Sequence, residues 1–211
     1  RRWATTYGSG CEAETGEGLL SETEQERCCF TGYRPYRFRF SPDGLRPEQV
    51  QQALAGQIER LYAEGCRRFI TGMCVGVDLW AAQAVLRLQQ LHPEVKLSAV
   101  IPFEGQESRW TVAQQREYRR IRERCTDETV LFSPREAAED AAACYRGRNR
   151  YMVDQAGTVL AVFSFAMADT RSGTAATVRY ARQRMRRLIY IHPQTLAVSE
   201  ETVQQLGLPI F

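Results

Sequence analysis

The segment from Phe69 to Leu86 reads FITGMCVGVDLWAAQAVL. Phe69, Ile70 and Thr71 are strand formers, and Gly72 and Gly76 bracket a tight turn. From Asp78 onward the apolar residues Leu79, Ala82, Val85 and Leu86 recur at helical spacing. A strand that delivers a glycine turn to a helix N-terminus leaves backbone N–H groups free at the positive end of a helix dipole. α/β folds hold phosphates and nucleotides in this way. A chain that contains one such unit must supply neighbouring strands and covering helices around it.

The same alternation recurs on both sides. A strand over 27–31, carrying Cys28, Cys29 and Phe30, ends in the turn Gly32-Tyr33-Arg34-Pro35. A helix follows from Pro47 to about Glu64, with Val50, Leu54, Ile58 and Leu61 spaced four, four and three and Gly65 as its C-cap. Beyond the helix that ends near His92 come a strand over 95–101 and a loop with Phe103, Gln106 and Trp110. A helix to about Cys125 is next, then a strand over 129–132, a helix over 141–154 and a strand over 158–165. The last units are a loop over 166–173, a helix from Thr174 to about Arg186, a strand over 188–192 and a short tail. Continuous apolar strands between amphipathic helices predict a Rossmann-like three-layer α/β fold: a mainly parallel sheet of about six strands, covered on both faces. Ligands in such sheets sit beyond the carboxyl ends of the strands.

Residues 1–26 lack apolar periodicity and are rich in Gly, Ser, Thr and Glu, which reads as a flexible arm or linker ahead of a single domain over 27–211. The formal charge of +3 hides an asymmetry. Residues 1–27 hold six glutamates and three bases, leaving 25 basic against 19 acidic residues in the rest. That surplus suits an anionic small ligand and is modest for a duplex-binding protein, so nucleic acid is not the expected partner. No apolar run approaches the ~20 residues of a membrane span, and no signal-like segment opens the chain, so a cytoplasmic location is the default expectation. The seven cysteines show no C-x-x-C pair and are expected to be reduced and mostly buried, with no metal site.

Two helix N-termini stand out. In Gly72-Met73-Cys74-Val75-Gly76-Val77-Asp78 the carboxylate repels phosphate; it either caps the helix or accepts from ribose hydroxyls. Ser172-Gly173-Thr174-Ala175-Ala176-Thr177 offers hydroxyls and a free helix end without an acid, flanked by Arg171 and Arg179. It is the better phosphate site. Arg146, Arg148 and Arg150, with Asn149, form a basic group that is either a solvated helix face or a source of a guanidinium for the ligand. Trp110, ahead of a helix on the ligand side, either stacks on a base or packs. The helix before Cys125 has a basic face of Arg116, Arg119, Arg120, Arg122 and Arg124.

Five motifs in order carry a resemblance: Thr31-Gly32-Tyr33-Arg34-Pro35; Gly72-Met73-x-x-Gly76-x-Asp78 with Ala81-Ala82; Pro102 with Gln106 and Trp110; Arg148-Asn149-x-x-Met152-Val153; and Gly173-Thr174-x-x-Thr177. Together, over about 27–192, they resemble the YpsA-like family of the SLOG superfamily, a domain of unknown function. Tyr33 stands where many relatives have histidine, and Ser172 where the family often has a second glycine. The superfamily also holds the phosphoribohydrolases once labelled lysine decarboxylases and the DNA-processing protein A family. The resemblance implies a nucleotide-type ligand, of the NAD or ADP-ribose kind, with Gly72, Gly76 and Asp78 as a first ligand loop and Gly173, Thr174 and Thr177 as a second; Gly32, Arg34, Gln106, Trp110, Arg148, Asn149 and Ser172 complete the expected ligand-binding set. It also suggests a homodimer. The hydrolases carry a catalytic glutamate after Gly-Thr, where this chain has Ala175, Ala176 and Thr177. The leading expectation is therefore a nucleotide-binding protein with no certain cofactor. A nucleoside-monophosphate phosphoribohydrolase using Asp78 is the alternative, and a single-stranded DNA-binding protein the second.

Overall fold

The structure is a computed structural model that describes residues 26–167 and 172–202. The elements are β1 (Arg27–Gly32), α1 (Pro47–Ala63), β2 (Arg68–Thr71), α2 (Val77–Leu91), β3 (Lys96–Ile101), α3 (Val112–Arg122), β4 (Asp127–Val130), α4 (Pro134–Asp154), β5 (Thr158–Val162), α5 (Gly173–Gln183), β6 (Arg187–Ile191) and β7 (Val198–Glu201). Short 3-10 turns lie at Pro35–Arg37 and Phe165–Met167. The arm read over 1–26 lies, apart from Glu26, outside the described residues, as do Asp169, Arg171 and the end of the tail.

The strands form one sheet in the order β4-β3-β2-β1-β5-β6-β7. Every pairing is parallel except β6 with β7. In the centre Cys29 of β1 stands opposite Ile70 of β2 and Val159 of β5. All five residues of β5 are buried, which is why that strand reads as an unbroken apolar run. The steps β1→β2→β3→β4 all run one way and β5→β6 runs the other. Right-handed crossovers then lay α1, α2 and α3 on one face and α4 and α5 on the opposite face. Accordingly α1 packs against α2, and α4 against α5. The helix spacing read from α1 is the one it buries: Val50, Leu54, Ile58 and Leu61 face the core.

Three elements differ from the sequence reading. β4 starts two residues earlier than expected and is largely exposed at the sheet edge. The apolar Leu131 and Phe132 that suggested a strand there pack instead: the Phe132 ring fills the space a Cβ on Gly147 of α4 would need, with Cζ 2.6 Å from that position. α4 begins at Pro134, because Ser133 and Glu136 form a capping box in which each satisfies the other's backbone N–H. Asp140 (φ −151°, ψ 85°) interrupts it, and its carboxylate accepts from the Ala143 N–H at 2.8 Å, so the expected start at Ala141 marks the second of two helical pieces. The third is β7, a polar VSEE segment that pairs with β6 and was not anticipated. Glutamates rather than apolar residues hold it: Glu200 meets Arg187 and Arg60, and Glu201 meets Arg182 and Tyr190.

Candidate functional site

β1 and β5 are neighbours whose chains leave in opposite directions, so a crevice opens where their carboxyl ends diverge. A cavity of about 450 Å³ occupies it. The end of β1 and the turn after it (Thr31–Arg34), Cys74 and Asp78 line it together with Tyr145, Arg148 and Asn149 of α4 and Ser172–Thr174 at the start of α5. The structure thus gathers Gly32, Arg34, Asp78, Arg148, Asn149, Ser172, Gly173 and Thr174 at one place. Gln106 and Trp110 stand apart from it. Gln106 is buried beside the Tyr118 hydroxyl of α3, and Trp110 packs edge-on against the Tyr118 ring at 5.5 Å.

The glycines do different jobs. A Cβ at Gly32 would lie 2.5 Å from the Val77 side chain. Gly76 has φ +101°, and a Cβ there would lie 2.7 Å from the Tyr33 carbonyl. A Cβ at Gly72 would fall 1.2 Å from Arg148 Nη1 and 2.7 Å from Asp78 Oδ2. These three make room for the protein's own atoms. Gly173 is different: no described atom comes within 4 Å of its Cβ position, so its missing side chain opens on the cavity.

Arg148 reaches from α4 across the end of β2 to Asp78 at the start of α2. Its Nη1 lies 3.3 Å from Asp78 Oδ2, and its Nη2 lies 3.3 Å from Cys74 Sγ. Both side chains of the ion pair are at least nine-tenths buried. Asp78 also accepts the Cys74 N–H at 3.3 Å, while the Thr71 hydroxyl donates to the Asp78 carbonyl. Burial pushes the Asp78 carboxyl above its usual range, and the Arg148 charge opposes that push. The acid at α2 therefore fixes the turn ahead of its helix through the Cys74 N–H and neutralises Arg148. Arg148 Nε has no partner.

The first turn of α5 is arranged otherwise. Ser172 Oγ accepts from the Ala175 N–H at 3.2 Å, a helix cap. The helix itself does not use the N–H groups of Gly173 and Thr174, its first two residues. The Thr174 hydroxyl donates to the Gly32 carbonyl at 3.0 Å, tying this turn to the end of β1. Asn149 donates to Thr177 Oγ1, which donates in turn to the Gly173 carbonyl, both at 2.9 Å, so α4 fixes the turn from its other side. Arg34, Arg37 and Arg146 stand around the same opening, and Asp78 is the one carboxylate among the described lining residues. Sequence reasoning missed Tyr36, which is 77% exposed at the cavity rim, and Tyr145. Tyr145 had a signal: it precedes Arg148 by three residues and so shares its helix face. Among the described residues no group of three His, Cys, Asp or Glu side chains is placed to hold a metal, and no helix is long and apolar enough to cross a membrane. The six described cysteines are free thiols.

The model of the YspA SLOG family matches residues 28–196. A UPF0398 protein of Halalkalibacterium halodurans is 31% identical over 134 residues, covering 63% of this chain and 69% of that protein. The UPF0398 protein YpsA of Bacillus subtilis is 23% identical over 134 residues, covering 63% and 73%. Among solved structures, DNA processing protein A from Streptococcus pneumoniae superposes with a TM-score of 0.52 at 20% identity, over 82% of this chain. The match takes in 53% of that protein, about half its length, and is a likeness of fold.

Proposed function

The chain belongs to the YspA SLOG family, and from that premise we propose that it is a nucleotide-binding protein whose ligand, of the NAD or ADP-ribose kind or another nucleotide, occupies the crevice between β1 and β5. One observation carries this reading: Gly173 opens the first turn of α5 onto a cavity whose described lining holds four arginines and a single, already neutralised carboxylate. Unused N–H groups at a helix end, the helix dipole and surrounding guanidinium groups together form an anion site. The sugar and base then lie toward Arg34, Tyr36 and Tyr145. The commitment of Asp78 to Arg148 and to the Cys74 N–H favours binding over hydrolysis, because a hydrolase needs a carboxylate free to act at the ribose.

Gly173→Val tests it. A Cβ there comes within 4 Å of no described neighbour, so thermal stability should hold while the anion's place is filled. In calorimetry the parent should bind AMP and ADP-ribose more tightly than adenosine, and Gly173→Val should weaken the two phosphate ligands by roughly tenfold or more, the scale of a lost charge-assisted contact. Equal affinities for parent and variant, or no nucleotide bound at millimolar concentration, would sink the proposal.

A further inference from the structure

A second concave surface lies on the opposite layer, between α2 and α3. Gln83, Leu86 and Arg87 of α2, with Arg120, Ile121 and Arg124 of or just beyond α3, enclose about 190 Å³. Leu86 and Ile121 are buried and close its floor. Along α3 and the turn that ends it, Val112, Arg116, Arg120 and Arg124 follow at intervals of four, and on α2 Gln83, Arg87 and Leu91 do the same. Such intervals place each set along one helix face. Arg87, Arg116, Arg120 and Arg124 are all exposed. The two rows thus present a cationic middle with exposed apolar ends, Leu91 at 77% and Val112 at 65%.

Several surface arginines are already paired. Arg60, Arg68, Arg122, Arg135, Arg182 and Arg184 each meet a carboxylate. Among the described residues Arg87, Arg116, Arg120 and Arg124 meet none. Of the two carboxylates on this stretch, Glu117 is taken by the Gln83 amide, and Glu123 is exposed next to Arg124 in sequence without an ion pair to it. Like charges four apart on a helix repel, so an anionic partner would relieve a strain built into this face.

We propose that this groove docks the acidic segment 12–26 of the same chain. That segment holds Glu12, Glu14, Glu17, Glu22, Glu24 and Glu26 with no base among them, and Leu19 and Leu20 in its middle. Its acids answer the arginine rows. Attachment and reach agree. The Glu26 carbonyl accepts from the Arg67 and Arg68 N–H groups, so the chain enters at the edge where the strands begin. α2 and α3 end at that same edge, just before β3 and β4, which brings Leu91 and Arg124 there. β3 is two strands from β1, about 10 Å away, and 15 residues can span up to about 50 Å. A nucleic-acid strand is the less fitting occupant, because no aromatic side chain interrupts the rows to stack on bases. The inference is independent of the nucleotide site.

Carbodiimide joins a carboxylate only to an amine in contact with it, and Lys96 is the only lysine. In the full chain, Arg120→Lys should cross-link residue 120 to a glutamate within 12–26, in a species of monomer mass mapped by mass spectrometry. The yield should fall several-fold at about 0.5 M salt, where screening shortens the reach of the charges. Arg135→Lys, exposed on α4, should give no such link. Links confined to Glu117 and Glu123, links only at dimer mass, or equal yield from Arg135→Lys would overturn the proposal. So would retention of a single-stranded oligonucleotide by the parent and its loss in Arg87→Ala/Arg124→Ala, since the groove would then belong to nucleic acid.

Discussion

At the scale of single residues, the exchange that organises the site is between Gly72, Asp78 and Arg148. The sequence marked all three, but for a ligand. In the structure Gly72 supplies the space, Arg148 fills it, and Asp78 balances the charge. Nothing in the order of residues along the chain could reveal this, because Asp78 and Arg148 are 70 positions apart. Breaking such a pair from one side leaves a buried charge, which typically costs about 3–5 kcal/mol. Arg148→Gln should lose that much at neutral pH, with a sign that pH can test. Burial already raises the Asp78 carboxyl, and removing the guanidinium leaves that push unopposed. A carboxyl whose folded pKa exceeds its unfolded one favours the fold while protonated and loses that contribution as pH rises through the folded value. Stability of Arg148→Gln in urea should therefore recover as the pH is lowered toward ~4, the ordinary carboxylate range, and Arg148→Gln/Asp78→Asn should regain part of the loss at pH ~7. A deficit that stays constant with pH would show that lost packing, not the charge, was responsible.

At the scale of elements, the central strands were legible because burial on both faces leaves a continuous apolar run, and α1 because its buried positions keep helical spacing. The edges were not. β4 is exposed, while the neighbouring Leu131 and Phe132 are apolar for the sake of packing, so the apparent strand slid by two residues. β7 carries no apolar signal because ion pairs fasten it: Arg187 bridges Glu64 and Glu200, and Arg60 bridges the same two glutamates. Partly exposed pairs contribute little singly and more as a network. Glu200→Gln/Glu201→Gln should speed amide exchange over 198–201 by several-fold and leave β5 unchanged. Equal protection of β7 in parent and variant would mean that its backbone pairing with β6 suffices.

On the scale of the whole molecule, the positive charge is divided between two layers. One share, around the opening between β1 and β5, surrounds the bare start of α5; the other lies along α2 and α3. The sequence showed the surplus but not its division, since which helix covers which face depends on strand order. The reach of Arg148 from α4 over the end of β2 to α2 joins those two layers at the rim of the cavity. Its consequence belongs to descent. Positions 72, 78 and 148 form one heritable character: a lineage that acquires a side chain at 72 must first surrender the arginine at 148, and a lineage without that arginine has no reason to keep the acid at 78. Among relatives the three should be gained and lost as a set, whatever ligand each lineage has come to hold.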